Sequence, residues 1–574
     1  MKTFKFLSAV LIGAFALTYS SCTKLDETPY STILEENYFK TKTDVIGAVM
    51  KGYERAGASV GDPWYNLQED GTDEMMTPNR QGHWIDGQNY YRMHYHTWTV
   101  NDAFTNNFWN NSYNSISTTN NAMELLQELE IAKFGITDAE RKQLIAELRV
   151  TRAWYHLRLF DFYRKIVIST KYKGADPAPL QSSPAEISAF IEKELKEAMV
   201  DLPVRGAQAN YNGRWTKGGA MSILVRLYLN SKVWVGVDRY AECAVLADNI
   251  IKGTYGTYAL ESNWDAPFDS KNENSLESVM AFPQRLGFTN IHYVWAQHFS
   301  MPFKGAPYFQ VTANGGGNPK YAMQPSLDVD GKEYPFALGK PFAKFKKYGD
   351  DVRLKLYKNL GGGKREGMFL FGTILDPATN KPIQSDNGYD LYIRDQVGLF
   401  NRVVNGKLTA YGPSEVNPDK RSDIAYADQN SGVYPVKYPI YPTTDVANSL
   451  ESDYAEIRLA EIYYSLAECK FRAGDKAGAS VLLNVVRKRN YPANSASLYE
   501  VDGSELTEQE LLDEWGREFI VEGRRRTDLV RWDKYTTGTW WDKTPDKDGH
   551  TNIFPIGLNV LGTSPQLVQN PGYQ

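Results

Sequence analysis

Apolar positions recur every three to four residues along several stretches of this chain, the spacing of one buried face on an α-helix. The pattern predicts helices over residues 43–56, 120–129, 138–163, 184–202, 217–232, 240–251, 454–473, 476–489 and 507–532. The 138–163 stretch carries Leu144, Leu148, Ala153, Leu157 and Phe160 on one face. Start signals agree with the periods. Thr137 or Asp138 precedes Glu140 and Arg141, Ser183 stands before Pro184, and Thr507 and Glu510 have capping-box spacing. Helices 217–232 and 240–251 are joined through Val237-Asp238, and helices 454–473 and 476–489 through Gly474-Asp475. Helix, short turn and small-residue helix is the layout of tetratricopeptide-like hairpins. Roughly 200 residues separate the two pairs, so the pattern does not predict a contiguous solenoid.

Between the hairpins the period fails. Residues 254–453 are rich in Gly, Pro, Asn, Asp and Tyr, with Gly-rich turn material at 314–318 and 361–363 and short apolar pieces such as 368–374 that suggest a few strands. Residues 61–113 have the same character and are denser still in aromatics. The predicted fold is mainly α: a TPR-like helical hairpin scaffold carrying a large, irregular, loop-rich lobe with a few short strands. The expected parts are 43–253, 254–453 and 454–574, with the lobe holding the ligand.

The first 21 residues read as an address. Lys2 and Lys5 precede an apolar run from Phe6 to Leu17, and small residues lead to Cys22. That is a secretory signal, and its apolar run is shorter than the about 20 residues a membrane span requires. Cys22 stands where a bacterial lipobox places its acylated cysteine, although Tyr19 departs from the usual aliphatic residue. Residues 22–42 are then a lipid-anchored polar tether.

Composition narrows the function. Of 574 residues, 13% are aromatic and 37 are Tyr, which suits recognition of polar ligands with flat apolar faces. The net charge of −5 gives no reason to expect nucleic-acid binding. Cys243 and Cys469 lie in helical patterns and read as small core residues. No His-Glu-x-x-His motif is present, and Lys364 after the glycines is followed by Arg365, not Ser or Thr. His94 and His96 alternate as on a strand, a spacing that fits a shared metal but more readily fits two hydrogen-bonded side chains. No cofactor is expected.

Five stretches carry a family resemblance. They are Cys22 to Pro29; Asp73-Glu74 through Arg80, Trp84 and Trp98; Glu147 to Tyr163; Arg214-Trp-Thr-Lys-Gly-Gly-Ala220; and a C-terminal set. That set comprises Glu456-Ile-Arg-Leu-Ala-Glu461, Trp515 to Arg524 with Asp528 to Trp532, and Gln569-Asn-Pro-Gly-Tyr573. In this order they resemble the SusD/RagB family of outer-membrane nutrient-binding lipoproteins. The resemblance implies a non-enzymatic protein on the cell-surface side of the outer membrane. It would capture glycans and pass them to a SusC-like TonB-dependent transporter. A peptide-capturing relative and a surface glycosidase are the alternatives.

The candidate ligand-binding residues are Trp84 as stacking platform, with Arg80 and Asp73 as polar partners. Trp84 lies in a polar stretch between Gly82 and Gly87, which favours an exposed loop. Trp98, beside His96 and Thr97, is a further candidate with core packing as its alternative, and Tyr293, Trp295 and Tyr308 come from the lobe. Trp154, Trp215 and Trp532 sit in helical motifs and are assigned to structure. Arg524, Arg525 and Arg526 are expected to form helix-end ion pairs with nearby acids.

Overall fold

The computed structural model describes residues 39–208, 211–285, 301–311, 319–405, 407–410, 419–442 and 452–573. The leader, Cys22, Tyr293 and Trp295 lie outside them. Ten helices organise the scaffold among these residues: α1 (Lys42–Ala58), α2 (Ala103–Glu128), α3 (Asp138–Tyr163), α4 (Pro184–Asp201), α5 (Lys217–Val235), α6 (Tyr240–Ile251), α7 (Leu459–Arg472), α8 (Lys476–Arg487), α9 (Glu508–Phe519) and α10 (Arg525–Arg531).

The start signals act as expected. The Thr137 hydroxyl accepts from the Glu140 amide at 3.2 Å while the Glu140 carboxylate accepts from the Thr137 amide at 2.9 Å, a reciprocal cap. Ser183 and Glu186 do the same ahead of Pro184. Thr507 caps the Glu510 amide, but the reciprocal half is replaced. Glu510 turns inward to Arg517, Lys347 and the Tyr499 hydroxyl.

Every residue of α3 from Val150 to Tyr163 is buried, so α3 is the axis of the scaffold and its polar side chains must find partners inside. Arg152 reaches Glu194 on α4, and Asp161 accepts from Gln68 and Thr527. The helices then pack in sequence: α3 on α4, α4 on α5, α5 on α6, α6 on α7 and α7 on α8. The two hairpins are therefore neighbours in one stack, contrary to the expectation from their sequence separation. Cys243 on α6 and Cys469 on α7 are buried in this stack. The lobe is an excursion out of this stack, and its two ends are sewn together. Strand β1 (Ser278–Phe282) pairs antiparallel with β2 (Tyr454–Arg458), Tyr454 opposite Phe282 and Arg458 opposite Ser278.

Three boundaries differ from the sequence reading, each for a physical reason. Helix α2 starts at Ala103, so Phe104, Phe108, Trp109 and Tyr113 belong to a helix, not to a loop. Its face is diluted by Ser, Thr and Asn, yet Ser115 and Thr119 satisfy themselves on carbonyls four residues back at 2.7 and 2.8 Å. Residues 454–458 are nearly all buried and pair as β2 before α7 begins. The expected helix 507–532 breaks between α9 and α10 because Glu522 is drawn into the core by Arg458, at 2.7 and 2.8 Å, and by Lys437. The bend uses positive φ at Val521 and Gly523.

The lobe is built from short antiparallel pairs, such as Phe369–Leu370 with Tyr434–Pro435 and Gly372–Thr373 with Tyr392–Ile393. It has its own apolar cluster around Leu370, Ile374, Leu391, Ile424 and Tyr434. A second cluster joins it to the scaffold through Tyr65, Phe342, Phe369 and Ile520. No helix among the described residues is long and apolar enough to cross a membrane.

Candidate functional site

Among the described residues, the loop from Gln81 to Gln88 concentrates left-handed backbone. Gln81, Gly82, Trp84, Asp86, Gly87 and Gln88 all have positive φ, between 38° and 103°. Four of these six are neither Gly nor Asn, so the conformation is held against its intrinsic cost of about 1–3 kcal/mol per residue. The hold is at both ends. Asn79 exchanges backbone hydrogen bonds with Ile424 and Ala427 at 2.8 and 3.1 Å, and Arg80 and His83 close a tight turn at 3.2 and 3.3 Å. At the far end Arg92 donates to the Gly87 carbonyl at 2.8 Å and grips Asp102 at 2.7 Å.

Trp84 lies within this loop, half-buried, its ring packed against the scaffold core and against the cluster that joins the lobe to it. Its Nε1 donates to the Pro319 carbonyl at 2.9 Å and its ring meets Tyr90 edge-on at 6.4 Å. The buried Lys320 ammonium lies 5.7 Å from the Trp84 ring and 4.9 Å from the Tyr90 ring. Two other loops converge here. The exposed His83 ring lies 4.5 Å from Phe303, Lys304 pairs with Asp386 at 3.5 Å, and the Asn387 amide bonds Gln81. Tyr308 follows on the same segment as Phe303, half-buried, with its hydroxyl on the Tyr357 carbonyl. The result is a face where loops 81–91, 301–311 and 385–390 meet, with half-buried aromatic rings among exposed amides and charges.

The expected trio of Trp84, Arg80 and Asp73 does not gather around one ligand. Arg80 is fully buried beneath the loop, where Nη1 donates to the Asp428 and Ser431 carbonyls at 3.0 and 2.8 Å and the guanidinium lies 5.1 Å from the Tyr434 ring. It is the loop's anchor. Asp73 is also buried, bound by Arg525 at 2.7 and 3.0 Å, with Lys344 at 3.5 Å. Burial alone would raise its pKa, but Arg525 and Lys344 hold its carboxyl well below the usual range. Trp98 takes the core alternative: 4% exposed, it packs on Phe554 and donates from Nε1 to the Tyr573 hydroxyl at 2.6 Å. Tyr573 closes the Gln-Asn-Pro-Gly-Tyr tail, so that motif docks the chain end rather than a ligand. Of the named candidates, Trp84 lies in the loop at this face, while Tyr308 follows on the 301–311 segment with its hydroxyl on the Tyr357 carbonyl.

Sequence reasoning missed His83, Lys304, Asp386 and Asn387. His83 adjoins Trp84 in the chain and was within reach; the other three gain meaning only from partners far away in sequence. His94 and His96 do not share a ligand. His94 faces Asp542 at 2.5 Å, whereas His96 bridges Asp546 and the Gly71 carbonyl at 2.8 Å each, and burial pushes the His96 pKa down to about 4. No group of three or more His, Cys, Asp or Glu placed to hold a metal occurs among the described residues.

Comparison with known proteins adds the following. The family model described as "SusD family" matches residues 297–573, and the one described as "Starch-binding associating with outer membrane" matches residues 25–229. The chain is 27% identical over 477 residues to starch-binding protein SusD of Bacteroides thetaiotaomicron, covering 77% of this chain and 74% of that one. A SusD-like protein of Formosa agariphila is 21% identical over 581 residues, covering 96% of each. Among solved structures, a laminarin-binding SusD-like protein superposes with a TM-score of 0.63 at 18% identity, over 93% of this chain and 100% of that one. A SusD homologue of Bacteroides thetaiotaomicron gives a TM-score of 0.65 at 17% identity, over 94% and 98%. At these identities the structural likeness speaks for the fold.

Proposed function

We propose that this chain, which belongs to the SusD family, captures an oligosaccharide or polysaccharide on the face built by loops 81–91, 301–311 and 385–390. The observation that carries this reading is the strained, doubly anchored loop that holds the half-buried Trp84 beside exposed polar groups. A sugar ring has flat C–H faces and a rim of hydroxyls. The exposed part of an indole or phenol ring covers the first, while side chains such as His83, Asp386 and Asn387 bond the second. Each contact is worth little net, so affinity rests on several rings in a row. Tyr293 and Trp295 lie outside the described residues. A starch-binding relative and a laminarin-binding structural neighbour support a glycan as the ligand class.

The same reading makes the protein a non-enzymatic lipoprotein at the outer surface of the outer membrane. It is acylated at Cys22 and hands its glycan to a SusC-like TonB-dependent transporter. The family description that names the outer membrane supports this placement. Native electrophoresis through gels containing single polysaccharides tests the binding. Retardation by at least one glycan, weakened by Trp84→Ala and Tyr308→Ala, is the expected result. Release of reducing ends from the bound glycan would replace this reading with a glycosidase. Retention of peptides alone would replace it with a peptide-capturing relative.

A further inference from the structure

The charged groups of the loop face narrow its ligand further. Loops 81–91, 301–311 and 385–390 hold one Lys or Arg among them, Lys304, and it lies 3.5 Å from Asp386. In sequence, Lys304 is also the single charged side chain of the stretch 286–319 that contains loop 301–311, in a chain where 23% of residues are charged. The acidic groups of the three loops are Asp86, Asp386 and Asp390, all exposed. Asp390 accepts from the Gln384 amide.

The basic groups that border the face are engaged as well. Lys320, beside Trp84, is buried, its ammonium 3.1 Å from Asn66 Oδ1 and 3.8 Å from Asp62. Arg92 grips Asp102 at 2.7 Å. Arg421, near Tyr91, lies 2.7 Å from Asp423.

This arrangement discriminates between sugars by charge. A uronate carboxylate or a sulfate ester loses hydration when its ring is covered, and recovers that loss only against an ammonium or guanidinium. Among the described residues of the three loops, the one such group already has its carboxylate. An anionic sugar would also meet Asp386 and Asp390 as like charges. Hydroxyls carry no such cost. They donate to the same carboxylates, and they both donate to and accept from the exposed Gln81, Gln88 and Asn387 amides.

We propose that the ligand of this face is an uncharged glycan, and that glycans bearing uronates or sulfates are rejected there. The inference rests on the reading of the loop face as the glycan site.

Matched forms of one polysaccharide test it on the unaltered, full mature protein. The first is a neutral glycan that the protein retains. The second is its C6-carboxylate derivative. The third is a hydroxyethyl ether of similar substitution, which adds bulk without charge. Calorimetry in about 20 and about 500 mM NaCl reads the three affinities, the higher salt screening the protein's net charge. The neutral parent should change by less than about twofold between the two salts, since no ion pair holds it. The carboxylate form should bind at least about tenfold more weakly than the ether in both, because desolvation and not long-range repulsion opposes it. The proposal is overturned if the carboxylate form matches or exceeds the ether, or if binding of the parent falls steeply with salt. An anionic glycan as the sole ligand of a broad panel, its binding weakened by Trp84→Ala, overturns the charge inference and leaves the loop face standing. Binding that Trp84→Ala leaves unaltered for every glycan, or no binding at all, removes the loop-face reading and this inference with it.

Discussion

Arg525 on α10 grips Asp73 with two parallel hydrogen bonds, Nε to Oδ1 at 2.7 Å and Nη2 to Oδ2 at 3.0 Å, between residues 452 positions apart. Both side chains are buried. The neighbouring arginines do the same work elsewhere: Arg524 reaches Glu461 on α7, and Arg526 reaches Asp161 on α3. The expected helix-end pairing survives for Arg524 with Asp528 at 3.2 Å. For Arg525 and Arg526 it gives way to long-range staples joining the last helices to the aromatic segment and to the scaffold axis.

Breaking the Asp73 staple should therefore cost stability. Asp73→Ala leaves the Arg525 charge buried without its main partner, and removal of one member of a buried pair typically costs about 3–5 kcal/mol. Urea unfolding measures the loss, and polysaccharide retention by the folded fraction should be unaltered. Because the Asp73 pKa is depressed in the folded state, its contribution is present above the unfolded carboxyl pKa and fails only as strong acid protonates it. It should be constant between about pH 5 and 8.

Stability should fall as pH rises through the neutral range. Burial raises Asp70 to about 7 and Glu74 to about 8, so the folded protein holds protons there that the unfolded chain has released. Their contribution is complete below the unfolded carboxyl pKa and is lost as pH climbs through these folded values. The buried His96 and His156, both lowered to about 4, act in the opposite sense, gaining stability as pH rises, but only below about pH 6.5. Between about pH 6.5 and 7.5 the carboxyl effect leads, and only nearer pH 8 does the buried Lys437, lowered to about 8, begin to act against it. Unfolding free energies across that window should decline, and Asp70→Asn with Glu74→Gln should flatten the slope.

The loop and its ring are separable. Trp84→Ala should weaken glycan retention about three- to tenfold, the value of one aromatic contact, with little effect on hydrogen exchange elsewhere. Arg80→Lys keeps the charge but loses the paired bonds to the Asp428 and Ser431 carbonyls. Amide exchange across residues 81–88 should then accelerate and glycan retention should fall, although the ring itself is untouched.

The bend before α10 requires its glycine. Gly523 has φ +69°, and a Cβ there would stand 2.9 Å from Trp64 Nε1. Gly523→Ala should cost about 1–3 kcal/mol in thermal or urea unfolding through backbone strain and this contact.

The sequence by itself determined helices with strong periods, such as α3, which also carries an explicit cap, and α6; their ends match residues 138–163 and 240–251. Local spacing suffices there because a helix satisfies its own backbone. It also supplied the family motifs and placed Trp84 in an exposed, aromatic loop. The tertiary structure alone decided what pairing at a distance decides. It made residues 454–458 a strand because β1 lies alongside, and broke the last long helix because Lys437 and Arg458 draw Glu522 inward. It stacked two hairpins that lie far apart in the chain. It turned Asp73 and Arg80 from ligand partners into buried supports, since a charged side chain reads the same in sequence whether water or a distant counter-charge solvates it.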